Sequence, residues 1–217
     1  IAYVGHHGGR AMNPLTGKVE DNGTSVVEVT DARAPRLLAH IPGEPGGGAQ
    51  MVRVCDGAML PRADRRKVYL LRTQGNSAHE LWDVTEPARP SFLVTVAANL
   101  SGTHKNWWEC DTGIAYLVSG VKGWRTHRMT QVFDLSDPAR PRFIRDFGLP
   151  GQQPGATGPV DTGLHGAISA WPARDRIYFG YGTHADGVLQ IVDRRKLLEG
   201  PREPTAANLL HPQAGRL

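Results

Sequence analysis

Ser25-Val-Val-Glu-Val-Thr-Asp-Ala-Arg-Ala-Pro35 returns in the same chain as Glu80-Leu-Trp-Asp-Val-Thr-Glu-Pro-Ala-Arg-Pro90. It returns again as Thr130-Gln-Val-Phe-Asp-Leu-Ser-Asp-Pro-Ala-Arg-Pro141 and, shortened, as Leu189-Gln-Ile-Val-Asp193. Each copy alternates apolar and polar residues before an acidic or proline turn, which is the pattern of a half-buried strand. A repeated strand means a fold built from copies of one unit. The acids that end the copies set the period: Glu28 to Asp83 is 55 residues, Asp83 to Asp134 is 51 and Asp134 to Asp193 is 59. Units of that size, at or above the ~40–50 residues of common propeller repeats, predict propeller blades.

The third unit shows four strand-like runs. They are Thr103–Cys110, Ile114–Val118, Thr130–Asp134 and Arg142–Phe147, with Asp111-Thr-Gly113 as the first turn. Four antiparallel strands make one blade. The second strand carries its own signature: Ile1-Ala-Tyr3, Lys67-Val-Tyr69, Ile114-Ala-Tyr116 and Arg176-Ile-Tyr178. On that alignment the chain begins at the second strand of a blade and ends near a fourth strand. The expected fold is all-β, a propeller of four-stranded antiparallel blades. About three and three-quarter blades fall in this chain: 1–48 (lacking its inner strand), 49–102, 103–162 and 163–217. A closed four-bladed propeller and a portion of a six- or seven-bladed one both fit. The second is preferred, so that the remaining blades come from a longer chain or another subunit. An N-terminus at Ile1 rather than Met points the same way.

The 217 residues carry a net charge of +4, with much of the excess in single turn arginines such as Arg33, Arg89 and Arg140. No basic stripe interleaves with aromatics, which argues against nucleic-acid binding. No apolar run approaches the ~18 residues of a membrane span. A partner is expected to be a protein or a small molecule.

The Val-Thr-Asp-Pro-x-x-Pro sentence with its preceding apolar strand resembles the LVIVD-repeat family of bacterial and archaeal β-propellers, over essentially the whole chain. The resemblance implies an extracytoplasmic location, secreted, periplasmic or at the cell surface, and says little about activity. Gly46-Gly-Gly-Ala-Gln-Met51 resembles a segment of the selenium-binding protein and methanethiol oxidase family, also propellers. That resemblance covers one blade junction and implies a redox metal such as copper.

Nine histidines are present. His104 lies 12 residues before Tyr116 and His165 lies 13 before Tyr178, so both start the innermost strand of their blade. Inner strands line the central channel of a propeller, and imidazole is a common ligand of Zn, Cu or Fe. His104 and His165 are therefore candidate metal ligands, alongside the alternative that they merely line the channel. Gly5-His6-His7-Gly8-Gly9 adds His6 and His7, which face opposite sides if the strand continues through them. His184 is a weaker candidate. The metal could be Cu, Fe, Zn or Mn. Ala49 stands where His104 does in the preceding blade, which argues against a complete histidine ring. His79 opens a third strand.

Cys55 and Cys110 end neighbouring inner strands and read first as small buried residues before turns. A disulfide requires their Cα atoms within about 7 Å. Trp107 and Trp108 face opposite ways, one of them into the core. The loop from Gly148 to Gly163 leads into His165 and is long enough to cover a channel mouth. Two functions of different class follow: a binding and interaction scaffold, or a metal-dependent oxidoreductase with channel histidines as ligands.

Overall fold

The computed structural model describes residues 1–160, 162–182 and 187–213. It is an all-β chain of successive antiparallel sheets, an arrangement compatible with a β-propeller. After β1 (Ala2–Gly5) come β2 (Arg10–Asn13) and β3 (Lys18–Asp21), which pair with each other as a separate hairpin. β1 then pairs with β4 (Thr24–Glu28), and β4 with β5 (Arg36–Ile41). The second sheet runs β6 (Val52–Asp56), β7 (Val68–Gln74), β8 (Ala78–Asp83), β9 (Ser91–Ala97). The third runs β10 (Thr103–Trp108), β11 (Ile114–Ser119), β12 (Met129–Asp134), β13 (Arg142–Phe147). The fourth has β14 (Leu164–Ser169), β15 (Arg176–Tyr181) and β16 (Val188–Asp193). β10 lies against β14 on one side and β6 on the other, so the first strands of successive sheets are neighbours.

Two features differ from the sequence reading. The fourth sheet has no fourth strand among the described residues. Instead α1 (Arg194–Glu199) and α2 (Ala206–Leu210) follow β16 directly. Asp193 caps α1 by accepting from the Lys196 amide, so the repeat's terminal acid here starts a helix rather than a turn. The chain comes back beside β16 only at Gln213, which bridges Val192. The β2–β3 hairpin is the other difference. Its signal is the turn Asn13-Pro-Leu-Thr-Gly17, where Asn13 Oδ1 accepts from the Leu15 amide and Gly17 adopts a φ of +68°.

The ladders also correct the tyrosine alignment. Tyr3 faces Val26, Tyr116 faces Val132 and Tyr178 faces Ile191, each two residues before the repeat acid. In the second sheet that position is Leu71, which faces Leu81; Tyr69 stands two residues earlier, opposite Asp83 itself. Tyrosine and leucine are interchangeable apolar fillers there, so side-chain identity misleads where register decides.

The repeated acids are structural. Each is ion-paired: Glu28 with Arg36, Asp83 with Lys67, Asp134 with Arg62 and Arg142, Asp193 with Arg176. Asp83 and Asp134 also accept from the amides of Thr85 and Ser136 at 3.0 and 2.9 Å, holding the turn. Burial opposes ionisation of Asp134, but hydrogen bonds from Ser136 and Arg142 bring its carboxyl down to about 2.

Apolar side chains fill each junction. Cys55, Leu71 and Leu81 pack on Trp108, Ala115, Leu117 and Phe133. Tyr116, Val118 and Val132 pack on Leu164, Ile177 and Phe179. Trp108 is thus a core residue, whereas Trp107 is half-buried on the opposite face under the Arg53 guanidinium, 4.4 Å from its ring centroid. The face that carries Trp107, Tyr116 and Val132 in the third sheet carries Ile168, Tyr178 and Ile191 in the fourth. There it is uncovered: Ile168 is 57 % and neighbouring Leu189 64 % exposed.

Each junction also has a specific tie. Between the first two sheets it is Arg72, 1 % exposed, which donates to the carbonyls of Ile41 and Pro42 and pairs with Glu80. Between the second and third it is a disulfide, Cys55–Cys110, with Cα atoms 5.4 Å apart. His79 adds to that junction, donating from Nε2 to the Val118 carbonyl at 3.0 Å. Between the third and fourth, Glu109 joins Arg194 at 2.7 Å.

His79 is completely buried. Burial lowers its pKa to about 4, outweighing the Val118 hydrogen bond that favours the charged ring. The unfolded ring titrates near ~6.5. Its contribution to stability is therefore complete above that pH and is lost as pH falls toward 4, reaching about 3 kcal/mol. His79→Gln should lack this loss while retaining an amide donor for Val118. Urea unfolding at pH 7 and 4.5 should show wild type falling more steeply than the variant; parallel loss would refute the assignment.

Candidate functional site

The first strands of the third and fourth sheets, β10 and β14, carry the same irregularity at their starts. The β10–β11 register shifts between Thr103 and Asn106, the β14–β15 register between Leu164 and Gly166. A bulge re-aims the side chains within it. Those side chains are His104 and Lys105 in one strand and His165 in the other. The β6–β7 ladder, whose strand follows Ala49, pairs without a shift.

The bulges bring the two histidines together, with ring centroids 4.6 Å apart and planes at 70°, edge to face. His104 is half-buried and its Nδ1 has no hydrogen-bond partner. Burial is the main cause that lowers its pKa to about 4, and the positive charges of Arg128, His165, Lys105 and His7 add repulsion. His165 is exposed. Its pKa is lowered by its partial burial first, then by Lys105 and Arg128. Both rings are thus biased toward the neutral form, which is the form that ligates metals.

Arg128 and Lys105 are built into this corner. The Arg128 carbonyl accepts from the Leu164 amide at 3.0 Å, next to His165. Its side chain crosses Gly102, two residues before His104; a Cβ there would lie 3.8 Å from Arg128 Nε. The Lys105 stem lies on Gly166, 3.1 Å from where a Cβ would stand. Beside the pair opens a cleft of about 370 Å³, lined by Arg53, Trp107, His165, Ile168, Tyr178 and Leu189 among others.

His6 and His7 part company. His6 turns into a second cleft, of about 300 Å³, beneath the β2–β3 hairpin, and its Nε2 is hydrogen-bonded to Ser25 Oγ at 2.9 Å. Burial lowers the His6 pKa, and His40 across the same cleft lowers it further. His40, which no sequence motif singles out, is legible only from its register opposite Ser25. His7 is exposed and lies toward His104, on which its charge acts. The backbone of His6 and His7 is packed on Gly48. That residue has a φ of +70°, and a Cβ on it would lie 2.5 Å from the His6 carbonyl oxygen, so the position requires glycine. The Gly46–Gly48 stretch thus serves a close backbone crossing. His184 lies outside the described residues.

The loop after Gly148 is pinned rather than free. Arg125 donates to the carbonyls of Gly151 and Gly158, and Gln152 donates to that of Thr162. Among the described residues no group of three or more His, Cys, Asp or Glu is arranged to hold a metal ion. His104 and His165 could supply two ligands. Arg128 and Lys105 are the residues that sequence reasoning misses. Lys105 stands in plain view beside His104, but Arg128 enters from the segment just before β12. No family model and no curated protein matches this chain.

Proposed function

We propose that this chain forms part of an extracytoplasmic, LVIVD-type β-propeller of six or seven blades that acts as a binding and interaction scaffold. The observation that carries the reading is the recurrence of one sheet face. It is buried at each of three junctions and left uncovered on the fourth sheet, where a further blade of its own longer chain, or of another subunit, fits. The ion-pair, hydrogen-bond and disulfide ties at the junctions favour a rigid framework whose loops and inner strands present ligands. The Cys55–Cys110 bridge supports placement in an oxidising compartment. Among the described residues no helix is long and apolar enough to cross a membrane.

Alkylation in the producing cells tests the placement. Cys55 and Cys110 should resist a maleimide until a reductant is added; labelling without reductant would overturn it.

A second reading, a metal-dependent oxidoreductase, is favoured by the meeting of His104 and His165. A bound transition metal would supply the redox or Lewis-acid chemistry, with His104 and His165 among its ligands. Metal analysis after mild purification should then find a near-stoichiometric transition metal that His104→Ala and His165→Ala remove. Substoichiometric metal would reject this reading.

A further inference from the structure

We propose that the corner formed by His104, His165, Arg128 and Lys105 is a binding site for a small oxyanion. This rests on the binding-module reading and names its ligand. The four side chains converge from three strands or strand entries: the two bulges turn His104, Lys105 and His165 inward, and the Arg128 main chain is hydrogen-bonded to Leu164. Every one of these groups is cationic or a potential donor. Twelve ion pairs occur among the described residues, and neither Arg128 nor Lys105 takes part in any of them.

Arg128 Nε is buried and has no hydrogen-bond partner, as is true of His104 Nδ1. A buried guanidinium donor left unmet is costly, and a shared anion satisfies it together with the imidazoles. A guanidinium presents its donors as a planar fork matched to the oxygens of a phosphate, sulfate or carboxylate. The bulges explain why the position is used twice. They aim the two imidazoles at each other, and the glycines at 102 and 166 leave room for the Arg128 and Lys105 stems.

The corner also disfavours a cation as it stands. Arg128, Lys105 and His7 all repel positive charge at His104. The two candidate ligands, anion and metal, therefore respond oppositely to one substitution. Removing the Arg128 charge weakens an anion and strengthens a metal.

Isothermal titration of inorganic phosphate into the intact chain, with chelator present and ionic strength held constant, tests this. The expected result is saturable binding at one site per chain. Arg128→Gln should weaken it about tenfold, the loss of one charge-assisted donor. Lys105→Gln, which removes a flexible point charge rather than a planar donor fork, should weaken it less, and sulfate should compete. Circular dichroism melts establish that each variant is folded; should Arg128→Gln fail, Lys105→Gln carries the test. No saturable heat up to millimolar phosphate would overturn the site, as would unchanged binding in both folded variants or binding seen only when a metal is added. A null titration removes the anion site alone, because the scaffold's placement is read separately by thiol labelling.

Discussion

Glu109→Ala is expected to destabilise the chain by about 3–5 kcal/mol, the cost of leaving a buried charge uncompensated. Glu109 is 5 % exposed and accepts from four side chains. Arg194 Nη2 lies at 2.7 Å, Thr112 Oγ1 at 2.6 Å, Ser169 Oγ at 2.5 Å and the Tyr116 hydroxyl at 3.1 Å. Arg194 also stacks over Trp171, 4.5 Å from its ring centroid. Truncation strands that guanidinium together with three hydroxyls at the junction of the third and fourth sheets. Glu109→Ala/Arg194→Met should be more stable than Glu109→Ala alone, since the second change removes the orphaned charge. Urea unfolding of the four proteins in a double-mutant cycle measures this. A single-variant loss below about 1 kcal/mol, the scale of a surface pair, or a double variant weaker than the single, would refute the assignment.

Removing the Cys55–Cys110 bridge should cost about 4 kcal/mol, from the loop-closure entropy of a 55-residue crosslink. Cys55 is buried against Trp108 and Phe133, so the cleanest variant puts a small apolar residue there: Cys55→Ala/Cys110→Ser. The denaturation midpoint should fall, and the denaturant slope should rise because the uncrosslinked unfolded chain exposes more surface. Reductant added to wild type should reproduce the shift, and added to the variant should do nothing. A variant as stable as wild type would mean that the bridge restrains nothing the packing does not already hold.

The sheet succession is legible in the sequence because strands report through local alternation and their turns through Asp, Pro and Gly. The first strands of all three later sheets fall at the expected places. Register is less legible. Tyr69 shares a tyrosine with Tyr116 but not its ladder position, since both residue types suit a buried strand. The fourth sheet departs for a different reason: Asp193 can end a strand or cap a helix, and the residues that follow, Arg194 to Glu199, decide for the helix. Of the candidate site, His104 and His165 are readable as a pair through their common offset from a tyrosine. The bulges that make the pair meet, and the arginine that approaches from β12's entry, depend on tertiary geometry that spacing does not encode. The bridge is open at the sequence level for the same reason. Only the convergence of β6 and the end of β10 brings Cys55 and Cys110 into reach.

That bridge has a mechanical consequence. Pulled by its ends, the chain can lengthen only outside the covalent ring between residues 55 and 110. A span of 55 residues, about 200 Å when fully extended at ~3.6 Å per residue, stays hidden from the force. The ring contains β7, β8, β9 and β10, one whole repeat length, so the centre of the molecule is shielded from traction while its two flanks can unravel. Adding reductant under load would release that length as a single discrete step.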